Sequence, residues 1–115
     1  MKIKDKVVIV TGGNSGIGYY AIEAFLKEGA SVVMASRSQA RAEEAIKNLQ
    51  SLGLPGKVTF IPLDLMTLQS VKNFVGQFKK QFQRLDLLLN NAGIMFGDYQ
   101  LTEDGFESQM ATNHF

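Results

Sequence analysis

Apolar residues fall along this chain in two alternating rhythms. Continuous runs at 7–10, 31–35, 58–61 and 85–89 are apolar or β-branched at nearly every position, the pattern of strands covered on both faces rather than one. Between them the apolar positions recur at helical spacing. Ala21, Ala24 and Phe25 run toward Gly29, Ala42, Ala45, Ile46, Leu49 and Leu52 toward Gly53, and Leu68, Val71, Phe74, Val75, Phe78 and Phe82 form a third series. Gly29 and Gly53 are expected stops for the first two helices, and Ser38 and Thr67 are expected N-caps for the second and third.

Strand, helix and strand repeated three times require crossover connections and a parallel sheet with helices on both faces. The expected fold is therefore the N-terminal portion of a Rossmann-type, doubly wound α/β domain, with four strands in the order 3-2-1-4. The last segment reads differently. Thr102 can cap a helix whose first turn holds Glu103 and Asp104, with Phe106, Met110 and Phe115 at helical spacing. Residues 1–115 are read as part of one domain that stops inside this helix, with the fourth strand left as a bare apolar edge. Such an edge invites association, including homo-oligomers.

Composition narrows the function classes. The 115 residues are 45% hydrophobic and 20% charged, which excludes a fibrous or disordered chain. A net charge of +1, from 12 basic and 11 acidic residues scattered along the chain, gives no field for nucleic acid or an acidic membrane. There is no cysteine for disulfides or thiolate metal sites. The charged start runs into an apolar stretch too short for a signal peptide or a membrane span, so the chain reads as cytoplasmic.

Directly after the first strand comes Thr11-Gly12-Gly13-Asn14-Ser15-Gly16-Ile17-Gly18, opening the first helix. Glycines there let the backbone turn tightly and approach a pyrophosphate, while the helix N-terminus supplies free N–H donors and a partial positive charge. A strand–helix turn with no ligand is the plain alternative. A P-loop is excluded, because no Gly-Lys-Ser/Thr follows.

At this point the sequence resembles the short-chain dehydrogenase/reductase family, whose cofactor motif is Thr-Gly-x-x-x-Gly-x-Gly. Asp64-Leu65, Asn90-Asn91-Ala92-Gly93 and Asn113 match further family segments in the same order. Gly-Asn-Ser-Gly-Ile-Gly, Ala35-Ser36-Arg37 and residues 102–107 look most like retinol-dehydrogenase-like and WW-domain-oxidoreductase-like members.

The resemblance implies that Gly12, Asn14, Ser15, Gly16, Ile17 and Gly18 cradle the pyrophosphate. It implies that Asp64, beside the Leu65 backbone, accepts from the adenine amino group, and that Asn91, Ala92 and Gly93 approach the nicotinamide-side ribose. Asn113 would help to hold a water in the proton relay. Each has a plainer alternative: a turn-capping Asp, an Asn-Ala-Gly turn, a solvated Asn. His114, the one histidine, is assigned to packing rather than metal.

Cofactor choice rests on the end of the second strand. NAD calls for a carboxylate there to bind the ribose 2′-hydroxyl, and NADP for a cation. The stretch reads Ala35-Ser36-Arg37-Ser38, with no acid between Glu28 and Glu43. Arg37 offers a planar fork suited to a 2′-phosphate and Ser36 or Ser38 a hydroxyl, so NADP is expected ahead of NAD. Arg41 is an alternative partner, and an exposed loop Arg the plain one. A methyltransferase of this fold is disfavoured by the same missing acid.

The family's chemistry is hydride transfer to or from a small carbonyl or alcohol, with Tyr exchanging the proton. Tyr19, Tyr20 and Tyr99 are followed four residues on by Glu23, Ala24 and Glu103, so none makes the Tyr-x-x-x-Lys pair. Tyr19 and Tyr20 are expected to pack. Two function classes stay open: the NADP-binding portion of a reductase acting on a lipophilic compound such as a retinoid or steroid, and a non-catalytic nucleotide- or partner-binding product.

Overall fold

The computed structural model describes residues 4–11, 16–64, 66–90 and 93–96. Strands β1 (Val7–Thr11), β2 (Ser31–Ser36), β3 (Lys57–Pro62) and β4 (Leu87–Asn90) alternate with helices α1 (Gly16–Lys27), α2 (Gln39–Gln50) and α3 (Leu68–Gln81). The sheet order is β3-β2-β1-β4, all parallel, as the element order requires. A further strand, β5 (Gly93–Phe96), was not expected. It pairs antiparallel with β4, Asn90 opposite Gly93, so the edge expected to stand bare is occupied. A two-residue connection suffices for this because antiparallel neighbours need no crossover. The expected helix after Thr102, with Phe106, Met110 and Phe115, and the assignment of His114 lie outside the described residues.

Side chains alternate along each strand and feed two cores, one per face. Ile9, Val33, Ile61 and Leu88 meet Val71, Phe74, Val75 and Phe78 of α3 on one side. Val8, Val10, Val32, Met34 and Leu87 meet Ile22, Leu26, Ala42, Ala45 and Leu49 of α1 and α2 on the other. The stripe that α1 buries differs from the expected one. Ile22 and Leu26 are covered, whereas Ala24 is exposed. Ala and Leu score alike in a periodicity argument, but the larger side chains turn inward because they remove more apolar surface from water.

Element ends follow local chemistry. Ser38 Oγ accepts from Arg41 N and Thr67 Oγ1 from Ser70 N, so both expected caps are made. Gly29 and Gly53 take φ of 84° and 65°, the left-handed region open to glycine, just past α1 and α2. Leu52, read as the end of the α2 series, lies beyond the helix and is exposed. Phe82 is the C-cap of α3 with extended backbone, yet its ring still stacks on Phe78 at 5.1 Å.

The fourth strand begins at Leu87 rather than 85, because Asp86 replaces regular pairing with a bracket. Val7 N donates to Asp86 Oδ2 at 2.8 Å and Asp86 N donates to Val7 O at 2.9 Å. Arg84 completes it, its Nε 3.1 Å from Asp86 Oδ2 and its Nη2 donating to Asp5 O at 2.9 Å. This sets β4 against β1 in the register Val8–Leu87, Ile9–Leu88, Val10–Leu89.

Candidate functional site

Parallel pairing brings the ends of four strands to one edge. The registers Thr11–Ala35, Ser36–Pro62 and Val10–Leu89 place the exits of β1, β2, β3 and β4 side by side. Residues far apart in sequence thereby converge: the turn into α1, Arg37 just past β2, Asp64 two residues past β3, and the connection after Asn90. The winding direction reverses between β1 and β4, which is where open α/β sheets form a ligand crevice.

Gly16, Ile17 and Gly18 form the first turn of α1, which holds no acidic residue, so its free N–H groups and partial positive charge face the same edge. Gly12, Asn14 and Ser15 lie outside the described residues, as do Leu65, Asn91, Ala92 and Asn113. Gly93 is the first residue of β5. Thr11 is buried at 8% exposure, and its Oγ1 has no hydrogen-bond partner among the described residues. A buried hydroxyl left unpaired costs free energy, so this end of β1 is built for a polar neighbour.

Arg37 is exposed, with no ion-pair or hydrogen-bond partner among the described residues. Ser36 is buried, its hydroxyl donating to Ser38 O at a long 3.5 Å. Ser38 Oγ caps α2, leaving its own proton to donate, and the first turn of α2 carries no acid. Glu43, the next carboxylate along, accepts from Gln39 Nε2 at 2.9 Å. The end of β2 thus presents a cation, a hydroxyl and a helix N-terminus, a donor set that fits a phosphate. Arg41, the alternative partner, is exposed one turn further along α2.

Asp64 is half-buried. Its Oδ1 accepts from Met66 N at 2.9 Å and its own N donates to Ser70 Oγ at 2.7 Å. The turn-capping contact is therefore present, and Oδ2 remains without a partner among the described residues. Ser70 is the site feature that sequence reasoning missed; only its place three residues after a Thr cap could have pointed to it.

Of the two tyrosines expected to pack, Tyr19 does, against the α1–α2 core, while Tyr20 is 70% exposed and meets Tyr19 edge-on at 5.9 Å. A cleft of about 370 Å³ lined by Leu26, Leu49, Gly56 and Val58 contains none of the candidate residues. Among the described residues no helix is long and apolar enough to cross a membrane.

An order of β3-β2-β1-β4 with helices on both faces, and a phosphate-ready edge at the strand ends, defines a Rossmann-type nucleotide-binding domain. The sequence matches the short chain dehydrogenase family over residues 6–115, and the chain belongs to that family. Retinol dehydrogenase 14 of Mus musculus is 42% identical over 119 residues, covering 95% of this chain and 36% of that protein. WW domain-containing oxidoreductase of Danio rerio is 41% identical over 112 residues, covering 97% and 27%. These are the two kinds of member that the motifs resemble. The crystal structure of L-sorbose reductase from Gluconobacter frateurii with NADPH and L-sorbose superposes with a TM-score of 0.71 at 36% identity, covering 81% of this chain and 36% of that one. The chain spans about a third of the length of such relatives.

Proposed function

We propose that this chain supplies the dinucleotide-binding part of an oxidoreductase that uses NADP(H) to interconvert a small carbonyl and an alcohol. Arg37 carries the reading: a cation with no partner among the described residues, at the end of β2 beside the capped N-terminus of α2, where an NAD site would place a carboxylate. The NADPH complex of a reductase with this fold supports it. When bound, the cofactor supplies hydride at the nicotinamide C4.

The chain's own residues bind and orient. Arg37 and the Ser38 hydroxyl hold the 2′-phosphate, the N-terminus of α1 takes the pyrophosphate, and Asp64 accepts from the adenine amino group. Asn91, Ala92 and Gly93 take the nicotinamide-side ribose, and Asn113 serves the proton relay, roles that rest on the family motifs. These 115 residues contain no Tyr-x-x-x-Lys, so the pair that exchanges the substrate proton is not among them. A product that binds nucleotide or a partner without catalysis is the second reading. Similarity to a retinol dehydrogenase supports a lipophilic substrate such as a retinoid or steroid.

Titration of the chain with NADPH and NADH, before and after Arg37→Ala, tests the proposal. The wild-type chain is expected to prefer NADPH. Loss of a charged hydrogen bond, about 1.5 to 3 kcal/mol, weakens NADPH by about 10- to 150-fold and leaves NADH unchanged. Equal NADPH affinity in the two proteins overturns the assignment.

A further inference from the structure

Asp64 is held by more than its position at the end of β3. Met66 N on its Oδ1 fixes how the carboxylate is turned, and Ser70 Oγ on its backbone N fixes the peptide that carries it. Ser70 is itself anchored. It sits in the first turn of α3, and the next residue, Val71, lies in the core beneath the sheet. A line of contacts therefore runs from the packed face of α3, through one hydroxyl, to the peptide of Asp64. Among the described residues between them, Met66 is 76% and Leu68 60% exposed.

We infer that Ser70 is a positioning residue, whose hydroxyl sets the direction in which Asp64 Oδ2 meets the exocyclic amino group of an adenine. The inference rests on the nucleotide reading above and adds to it a residue that need not touch the cofactor. Position matters here because a hydrogen bond weakens steeply as its angle falls below about 120°. A shift of the Asp64 peptide would cost the adenine contact without disturbing the phosphate contacts at Arg37. Thr67 provides the contrast within the structure: its hydroxyl caps the same turn of α3 and makes no bond to Asp64, to which Thr67 reaches only through its main chain, Thr67 N donating to Asp64 O at 3.2 Å.

The test compares binding of NADPH with binding of its hypoxanthine analogue, in which the 6-amino group is replaced by oxygen. The proteins are the wild-type chain, Ser70→Ala, Ser70→Thr and Thr67→Ala. The wild-type chain is expected to prefer NADPH by about tenfold, one hydrogen bond to a carboxylate. Ser70→Ala brings the ratio close to one while binding the analogue as the wild type does. Ser70→Thr keeps the hydroxyl and restores the preference, and Thr67→Ala lowers thermal stability with the ratio unchanged. If Ser70→Ala does not fold, Ser70→Cys makes the same comparison with a weaker acceptor. An unchanged ratio in Ser70→Ala, or an equal loss in Thr67→Ala, overturns the inference. Wild-type binding of both ligands without preference removes the adenine role of Asp64, and with it the role of Ser70. Binding of neither ligand overturns the nucleotide reading itself.

Discussion

Phe78→Ala is expected to lower the unfolding free energy by about 3 to 5 kcal/mol, the cost of emptying a closed aromatic site. Phe78 is fully buried, with Phe74 at 6.3 Å and Phe82 at 5.1 Å between ring centroids. It lies in the cluster that joins α3 to Ile9, Val33, Ile61 and Leu88 of the sheet. A domain's whole net stability is about 5 to 15 kcal/mol, so this one change removes much of it. Urea denaturation followed by circular dichroism checks the value. A loss below about 1 kcal/mol would mean that α3 is not packed as described, since even small core truncations cost that much. Thr67 and Ser70 open the same helix, so the variant should also weaken nucleotide binding.

Gly56→Ala is expected to destabilise by about 3 kcal/mol, at the upper end of overpacking effects. A Cβ there would lie 2.4 Å from Ala30 O and 2.8 Å from Leu26 Cα, both main-chain atoms that cannot turn aside. The approach is tight because Gly56 N donates to Leu26 O at 2.9 Å, joining the start of β3 to the end of α1. Gly76 supplies the opposite sign. It is exposed within α3 and a Cβ meets nothing within 4 Å, so Gly76→Ala should stabilise by about 0.5 to 1 kcal/mol. Thermal melts of the two variants beside the wild type settle the pair. Equal melting temperatures would remove the close approach at Gly56.

The contrast between these glycines shows where sequence reasoning reaches. Four strands, three helices, their order and the caps at Ser38 and Thr67 are legible because each depends on neighbours within a turn or two. The convergence of Arg37, Asp64 and the first turn of α1 follows from strand order, which element alternation already implies. What stays hidden depends on pieces distant in the chain. Gly56 is special because α1 and β2 pass close by, and Asp86 because Val7 lies opposite. Neither partner is visible from local spacing. The stripe of α1 fails for a related reason, since periodicity gives a face to within one step while burial selects Ile22 and Leu26. The strand at Gly93–Phe96 starts on the last residue of an Asn-Asn-Ala-Gly segment whose sequence suits a turn as well as a binding corner.

The bracket at Asp86 closes one end of the seam between β1 and β4 and leaves the other to three ladder pairs. The Asp86 carboxylate, one main-chain bond and Arg84 clamp the base near Val7, while the opposite end carries the turn into α1 and the connection after Asn90. The two strands therefore act like a clothes-peg whose spring sits far from its jaws. Thermal breathing of the seam should therefore widen the edge at the strand exits first, and amide exchange should slow progressively from Leu89 back toward Leu87.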